Sequence, residues 1–482
     1  MNYVNSKGDF LMNILLIQPY TEISQCNSPP LGLMYLASAL RSKGNDRIKI
    51  IDLRLEKIRI SSKIEEVLAF NPDVIGVTAM SIESEAIAST IKFLAETLPN
   101  KPFFVVGGSH ASVFPEETAN IPHVDCVVIG EGEEVIVELI ETLKNQGALE
   151  TVKGIAFLKN GKVIKTPRKE FIADVDSLPS PAWDLVNVEK YFTSPHFHDT
   201  RGNRRRIAPI FSSRGCPFRC AFCLHMMGTT FRARSAENVL DEIRDLYYHY
   251  HIEEIHIEDD IFNFDRIRAN KIMQSLIDEG IDVKICFPSG LKGDLLHQED
   301  LSLYKRAGVY QICFGIESAS DRILSLIRKR QNSEKMNQVI FDCAKEKIGT
   351  HGFFMIGFPT EKEEEIRDTI EFARASRLTT ANFSLVKLFP GTDLYKMFGQ
   401  PSMDPMDASS FSYDLVGYNL SDVNKERLMQ LRALAYRRFY TKPRRIWDVW
   451  RFTPNKIGLF RKNLFSVLKL STRGTNVEEP VH

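Results

Sequence analysis

The chain has 482 residues, of which 43% are hydrophobic and 26% charged, the make-up of an ordinary folded protein with two to four domains. Its 62 Lys and Arg balance 62 Asp and Glu, so no net field draws nucleic acid, and no nucleic-acid partner is expected. No apolar run is long enough to span a bilayer, residues 1–10 lack a signal-peptide core, and eight irregularly spaced cysteines are no disulfide framework; the expectation is a cytoplasmic, reducing compartment.

From 12 to about 150, five short apolar runs alternate with helical patterns. The runs are 13–18 (NILLIQ), 48–53 (IKIIDL), 73–79 (DVIGVTA), 103–107 (FFVVG) and 124–129 (VDCVVI), with amphipathic stretches at 32–43 and 83–97. This alternation predicts a parallel sheet covered on both faces, with ligands at the carboxyl ends of its strands. The loops there are Gln18-Pro19-Tyr20, Met80-Ser81, Gly107-Gly108-Ser109-His110 and Gly130-Glu131-Gly132-Glu133. Their glycines let a bulky ligand approach the backbone. No GxGxxG follows the first run, which argues against a dinucleotide.

Residues 151–205 read as a linker. The stretch 151–165 (TVKGIAFLKNGKVIK) predicts a hairpin turning at Asn160-Gly161. A proline-marked connector, DSLPSPAWDL, follows at 176–185. The basic run 201–206 reads as a solvated loop, with phosphate contact as the alternative.

From 206 to 400, a first strand at 207–212 (IAPIFS) runs into Arg214-Gly215 and then Cys216-Pro217-Phe218-Arg219-Cys220-Ala221-Phe222-Cys223. Three thiols in a CxxxCxxC spacing can hold three irons of a [4Fe–4S] cube and leave the fourth iron open. A structural zinc site usually wants four ligands, and no second half-site is present. Ser235 caps a predicted helix over 235–250. Further strands are expected at 252–258, 282–287, 311–316, 350–356 and 381–388, most of them followed by helical patterns. The count is six β/α units, whose chemistry belongs at the C-terminal strand ends. Asp259-Asp260, Glu317 and Gly357 stand there. The plain structural readings of the aspartates and of Glu317 are a helix cap and an ion pair. Cys286, Cys313 and Cys343 have no ligand spacing and read as small buried hydrophobes.

From 401 to 482 a helical region is expected, with a helix at 421–440 and a disordered tail from about 471. Between 437 and 473 there are eleven Lys or Arg and one acidic residue, interleaved with Trp447, Trp450, Phe452, Phe460 and Phe465. This mixture fits a helical cap over the barrel mouth, with peripheral membrane contact as a second use.

The cysteine stretch closely resembles the signature of the radical S-adenosylmethionine (SAM) enzymes. The motif order PPLGLMYLAS (29–38), VVGGSHASVFPEE (105–117) and VIGEGEE (128–134) resembles the cobalamin-binding domain of their cobalamin-dependent branch. The resemblance implies an α/β architecture: a Rossmann-like cobalamin-binding domain (12–150), a partial (β/α)6 barrel (206–400) and a helical C-terminal region. It implies three cofactors: a [4Fe–4S] cluster on Cys216, Cys220 and Cys223, SAM, and cobalamin without the DxHxxG lower-ligand motif. Carried over by position, Asp259 and Asp260 would meet the SAM amino group and Glu317 the ribose. Gly357, in GFFMIGFP at 352–359, would lie along adenine, although Ile356 departs from the usual glycine there. Phe222 would stack beside adenine. Gly107, Gly108, His110, Gly130, Glu131 and Gly132 would line the cobalamin site. The implied reaction methylates an unactivated carbon of a small molecule or lipid, using a 5′-deoxyadenosyl radical, methylcobalamin and a flavodoxin- or ferredoxin-type reductant. Alternatives are a ring-forming enzyme with the same cofactors, similar to the anaerobic magnesium-protoporphyrin ester cyclase, and a non-catalytic cobalamin or redox sensor. A tRNA methylthiotransferase would need a second three-cysteine cluster, and the N-terminal part has only Cys26 and Cys126.

Overall fold

The computed structural model describes residues 11–22, 28–44, 46–78, 80–193, 204–399 and 418–452. The readings for Cys26, Arg201, Phe460, Phe465 and the tail from 471 lie outside them. The backbone forms two units. The first holds residues up to 200 with 226–228 and 232–234, and the second holds the remainder.

In the first unit, β1 (Asn13–Gln18) is apolar on both faces because it lies inside the sheet and is buried along five of its six residues. It pairs in parallel with β2 (Arg47–Asp52) and β3 (Val74–Thr78). With β4 (Phe103–Gly107) and β5 (Cys126–Val128) the strand order is β2-β1-β3-β4-β5, a doubly wound arrangement whose order reverses at β1 and β3. The crossovers include α1 (Leu31–Lys43), α2 (Ile64–Phe70) and α3 (Ser84–Thr97), and α4 (Glu133–Lys144) follows β5. Leu15, Ile17, Ile75, Val77, Val106 and Val127 form one face of the core. Each such side chain, fully buried, contributes roughly 1.5–3 kcal/mol.

Within the stretch expected as a linker (151–205), residues 151–193 belong to this unit. β6 (Ile155–Lys159) pairs antiparallel with β5, and β7 (Lys162–Lys165) with β6. Their turn places Asn160 at φ 50° and Gly161 at φ 74°, the two left-handed residues of a type I′ hairpin. The proline-marked stretch is fastened to α1. Ser38 Oγ donates to the Ser180 carbonyl at 2.6 Å, and Arg41 makes two 2.9 Å bonds to Asp184.

The second unit carries six parallel strands: β8 (Ile207–Ile210), β9 (Glu254–Ile257), β10 (Lys284–Phe287), β11 (Val309–Glu317), β12 (Gly349–Ile356) and β13 (Thr380–Leu385). They are neighbours in chain order, with β8 and β13 as the two edges, so the sheet is an open six-strand barrel. The intervening helices are α5 (Ala236–Tyr248), α6 (Arg266–Asp278), α7 (Gln298–Arg306), α8 (Asp321–Leu326), α9 (Ser333–Lys345) and α10 (Glu363–Ala375). Ser235 caps α5 as expected, accepting from the Asn238 N–H at 3.2 Å. Arg206 is not left for phosphate: its guanidinium donates to the Tyr250 and His251 carbonyls.

The C-terminal region is helical, as expected. α11 (Lys425–Tyr440) lies along edge strand β13. The Phe383 and Ala381 N–H groups donate to the Tyr436 and Tyr440 hydroxyls at 3.1 and 3.2 Å, and Arg432 donates to the Phe383 carbonyl at 2.8 Å. The helix thus caps backbone groups that an open edge would leave bare. α12 (Pro443–Phe452) follows.

Candidate functional site: a cysteine loop at the barrel's first strand end

β8 is followed by Ser212 and Ser213, which are buried against Asp259 just past the end of β9. The Ser212 N–H and hydroxyl and the Ser213 hydroxyl each donate to the Asp259 carboxylate at 2.6 Å. Arg268 on α6 donates to the Ser212 carbonyl at 2.5 Å. Asp259 is 1% exposed, and burial raises its pKa against the pull of these donors. The Asp259 oxygens thus fasten the end of β9 to the root of the loop. Asp260 points the other way. It is exposed and accepts the Gly215 N–H at 3.0 Å, immediately before Cys216.

Farther along, the loop is held at Ala221. Its N–H donates to the Ile327 carbonyl at 2.8 Å, and its carbonyl accepts from Leu394 at 2.7 Å. Cys216, Cys220 and Cys223 are free thiols, two half-buried and one exposed. Burial pushes the Cys216 thiol up to about 11, and its two neighbours push in the same direction. Burial likewise raises Cys220 and Cys223. Among the described residues, no three His, Cys, Asp or Glu side chains converge as one metal ion requires. Three thiols on one loop are the donor set that a cube takes, one to each of three irons.

Two lysines beside the loop were not foreseen. Lys329 Nζ lies 5.9 Å from the Phe222 ring centre and Lys292 Nζ lies 5.2 Å from that of Phe218. Both lower the Cys220 thiol pKa against the larger effect of burial. Lys329 also pairs with Glu317 at 3.2 Å. Glu317 ends β11 at φ 65°, where the register with β12 shifts. A Cβ on Gly315 would stand 2.6 Å from Glu317 Oε1 and 3.0 Å from Lys329 Nζ, so this glycine leaves the pair its room. Sequence alone gives Lys329 no signal, because it reads as the last turn of a helix. α8 instead stops at Leu326, and Arg328 at φ 54° turns the chain.

Phe222 is half-buried and packs on Ala221, Ile327 and Phe358. Gly357 has φ 91°, donates its N–H to Glu361 at 2.6 Å, and would bring a Cβ to 2.9 Å from Leu428 on α11. Turn geometry and helix packing thus both require a glycine there. Cys286, Cys313 and Cys343 are buried, as expected.

In the first unit, Gly107 ends β4, Gly108 follows it and Gly130 follows β5. Gly108 and Gly130 adopt φ 94° and 85°, and a Cβ on Gly130 would meet nothing within 4 Å. This open backbone can admit a bulky ligand. The other three expected contacts have structural roles. His110 is 1% exposed, with Nδ1 3.2 Å from Ser81 Oγ and its ring against Phe114. Glu131 is buried in a two-pronged ion pair with Arg232 at 2.9 Å. A Cβ on Gly132 would reach Leu36 of α1 at 3.0 Å, so that glycine serves the packing of α4.

Residues 24–140 match the B12 binding domain family and residues 210–373 match the Radical SAM superfamily. The chain is 32% identical over 443 residues to an uncharacterized methyltransferase, PH0819, of Pyrococcus horikoshii, covering 90% of this chain and 94% of that one. It is 27% identical to the anaerobic magnesium-protoporphyrin IX monomethyl ester cyclase of Cereibacter sphaeroides, over 92% of this chain and 71% of that one. Among solved structures, the cobalamin-dependent SAM radical enzyme OxsB, with aqua-cobalamin and SAM bound, shares the fold at a TM-score of 0.75 and 17% identity, covering 92% of this chain and 70% of that one.

Proposed function

This chain belongs to the family of cobalamin-dependent radical SAM methyltransferases, and on that premise we propose that it methylates an unactivated carbon of a small-molecule or lipid substrate. Its cofactors are a [4Fe–4S] cluster, SAM and cobalamin. When bound, they supply the electron, the carbon-centred oxidant and the methyl group. What carries the proposal is the union in one chain of the clamped three-thiol loop with a B12 binding domain.

The residues divide the work. Cys216, Cys220 and Cys223 are the cluster ligands in this reading. Asp260, exposed beside Cys216, takes the SAM ammonium. Glu317 accepts from the ribose hydroxyls, with Lys329 fixing its direction. Phe222 and the backbone at Gly357 border adenine. Gly107, Gly108 and Gly130 give cobalamin access to the strand ends. Asp259 positions the loop without touching a ligand.

A one-electron donor of flavodoxin or ferredoxin type and a reducing, cytoplasmic setting belong to this reading. The basic, aromatic C-terminal region is the place of peripheral membrane contact.

The test is anaerobic reconstitution with iron, sulfide and cobalamin, comparing the natural chain with Cys220→Ala. A normal cluster spectrum and unimpaired SAM cleavage in the variant would overturn the assignment. The likeness to the cyclase favours one second reading, ring formation without methyl transfer. Methyl-labelled SAM separates the two, since label in the product skeleton means methylation.

A further inference from the structure

We propose that the outward face of α12 docks on an anionic phospholipid bilayer. This deepens the membrane-contact reading above, rests on it, and is independent of methyl transfer. The inner edge of the helix is fixed. Arg445 is 4% exposed, donates to the Leu378 and Ser376 carbonyls at 2.7 and 3.0 Å, and stands 3.7 Å from the centre of the Phe439 ring. With 3.6 residues per turn, pinning position 445 determines which side chains face outward.

Pro443, Ile446, Trp447 and Trp450 form one stripe at i, i+3, i+4 and i+7. Ile446 and Trp447 are each 58% exposed and Trp450 38%. The two indoles stack with centres 4.9 Å apart. Among the described residues, no other helix or strand exposes three large apolar side chains. Arg444 and Arg451 flank the stripe, and Arg437 and Arg438 lie exposed on α11. The one acidic residue of this region, Asp448, lies 3.6 Å from Arg444.

An apolar stripe of this kind marks an interaction surface, and its chemistry selects the occupant. Indole has an apolar body and a polar N–H, which are both accommodated at the headgroup boundary. The cationic flank complements anionic headgroups. The helix has ten residues, and no described helix is long and apolar enough to cross a membrane. Such an element lies in the plane of the interface.

The test is co-sedimentation of the full chain with phosphatidylcholine vesicles, with and without phosphatidylglycerol. The expected result is binding to the anionic vesicles about tenfold tighter than to the neutral ones, weakened by salt. Trp447→Glu/Trp450→Glu should lose binding about tenfold or more while keeping its melting temperature, because both side chains face outward. Arg444→Gln/Arg451→Gln should lose the preference for anionic lipid.

If the natural chain ignores both vesicles, the membrane-contact reading fails as well. If it binds and the tryptophan variant binds equally, contact lies elsewhere and only this inference falls. Two further results overturn it. One is a tryptophan variant that turns a dimer into a monomer with vesicle binding unchanged, which assigns the face to a second copy. The other is unaltered iodide quenching in that variant, which assigns the face to the chain's own residues 453–482.

Discussion

Lys329 Nζ lies 3.2 Å from Glu317 Oε1, with both side chains largely out of water. Burial works against the lysine's charge, but Glu317 and then Cys220 outweigh it and hold its pKa above the ordinary range. Lys329→Met would strand a buried carboxylate, at a cost of about 3–5 kcal/mol. Glu317→Gln/Lys329→Met should recover most of that loss in denaturant titrations. Removing a cation beside the cysteine loop should also lower the cluster's midpoint potential, read by a redox titration followed by EPR. A single variant as stable as the natural chain would show that the pair is not what holds Glu317.

Glu361 makes stability depend on pH. Its Oε2 accepts the Gly357 and Phe358 N–H groups at 2.6 and 3.0 Å, and its Oε1 has no partner among the described residues. Burial is the largest influence and raises its pKa to about 7 against those two bonds. The folded state therefore keeps a proton that the unfolded chain has released above about pH 4.5. The slope of unfolding free energy with pH is then negative between about 4.5 and 7, with up to roughly 3 kcal/mol lost across that window. Glu361→Gln should remove this component. It should match the natural chain near pH 5 and exceed it in stability at pH 8. Parallel pH dependences would refute the assignment.

The Glu131–Arg232 pair predicts an asymmetry. Both side chains are buried, and Arg232 also donates to the Ile172 and Met227 carbonyls. Arg232→Ala takes the counter-charge from a buried carboxylate, which keeps the Ile172 N–H, and removes this donor from two carbonyls. It should cost about 3–5 kcal/mol, whereas Glu131→Gln, which keeps an acceptor, should cost about 1–2 kcal/mol. Equal losses in thermal unfolding would mean that the guanidinium's carbonyl bonds do not matter.

His110 offers a spectroscopic prediction. Burial holds its pKa below the ordinary imidazole value, and its ring is turned to Ser81 and Phe114. His110→Phe should leave the EPR spectrum of bound cob(II)alamin unchanged, with a stability loss of about 1–2 kcal/mol from the missing hydrogen bond. A change in nitrogen superhyperfine splitting would make His110 a cobalt ligand instead.

The sheet frames were legible because alternation and turn chemistry agree. NILLIQ is β1 end for end, Asn160-Gly161 is the hairpin turn, and the six strands of the open barrel fall within three residues of their expected bounds. The three-thiol loop was legible because its ligands are local in sequence. The long-range part was not. Lys329 and Lys292 reach the loop from different strand ends, and no spacing joins them to it. Nor could the sequence show that Glu131 is used up by an arginine about a hundred residues later, or that the tyrosines of α11 would cap an edge strand.

Asp259 and Asp260 look alike in sequence, but the fold divides them. Asp259 is buried beneath three donors, while Asp260 is exposed with the Gly215 N–H upon it. Asp259→Ala would leave the Ser212 N–H and hydroxyl without this acceptor in a dry site and the Ser213 hydroxyl with only the Ile261 carbonyl at 3.3 Å. At about 1–3 kcal/mol for each such group, it should destabilise the second unit severely and prevent cluster assembly. Asp259→Asn keeps one acceptor for the Ser212 N–H and lets the hydroxyls rotate, so it should be milder. Asp260→Ala gives up the Gly215 N–H bond at an exposed position, about 1 kcal/mol for that bond. It should fold and take up iron normally but bind SAM weakly in equilibrium dialysis. The two aspartates thus separate loop integrity from cofactor affinity. If Asp260→Ala bound SAM as tightly as the natural chain, the ammonium contact would have to be sought on another strand end.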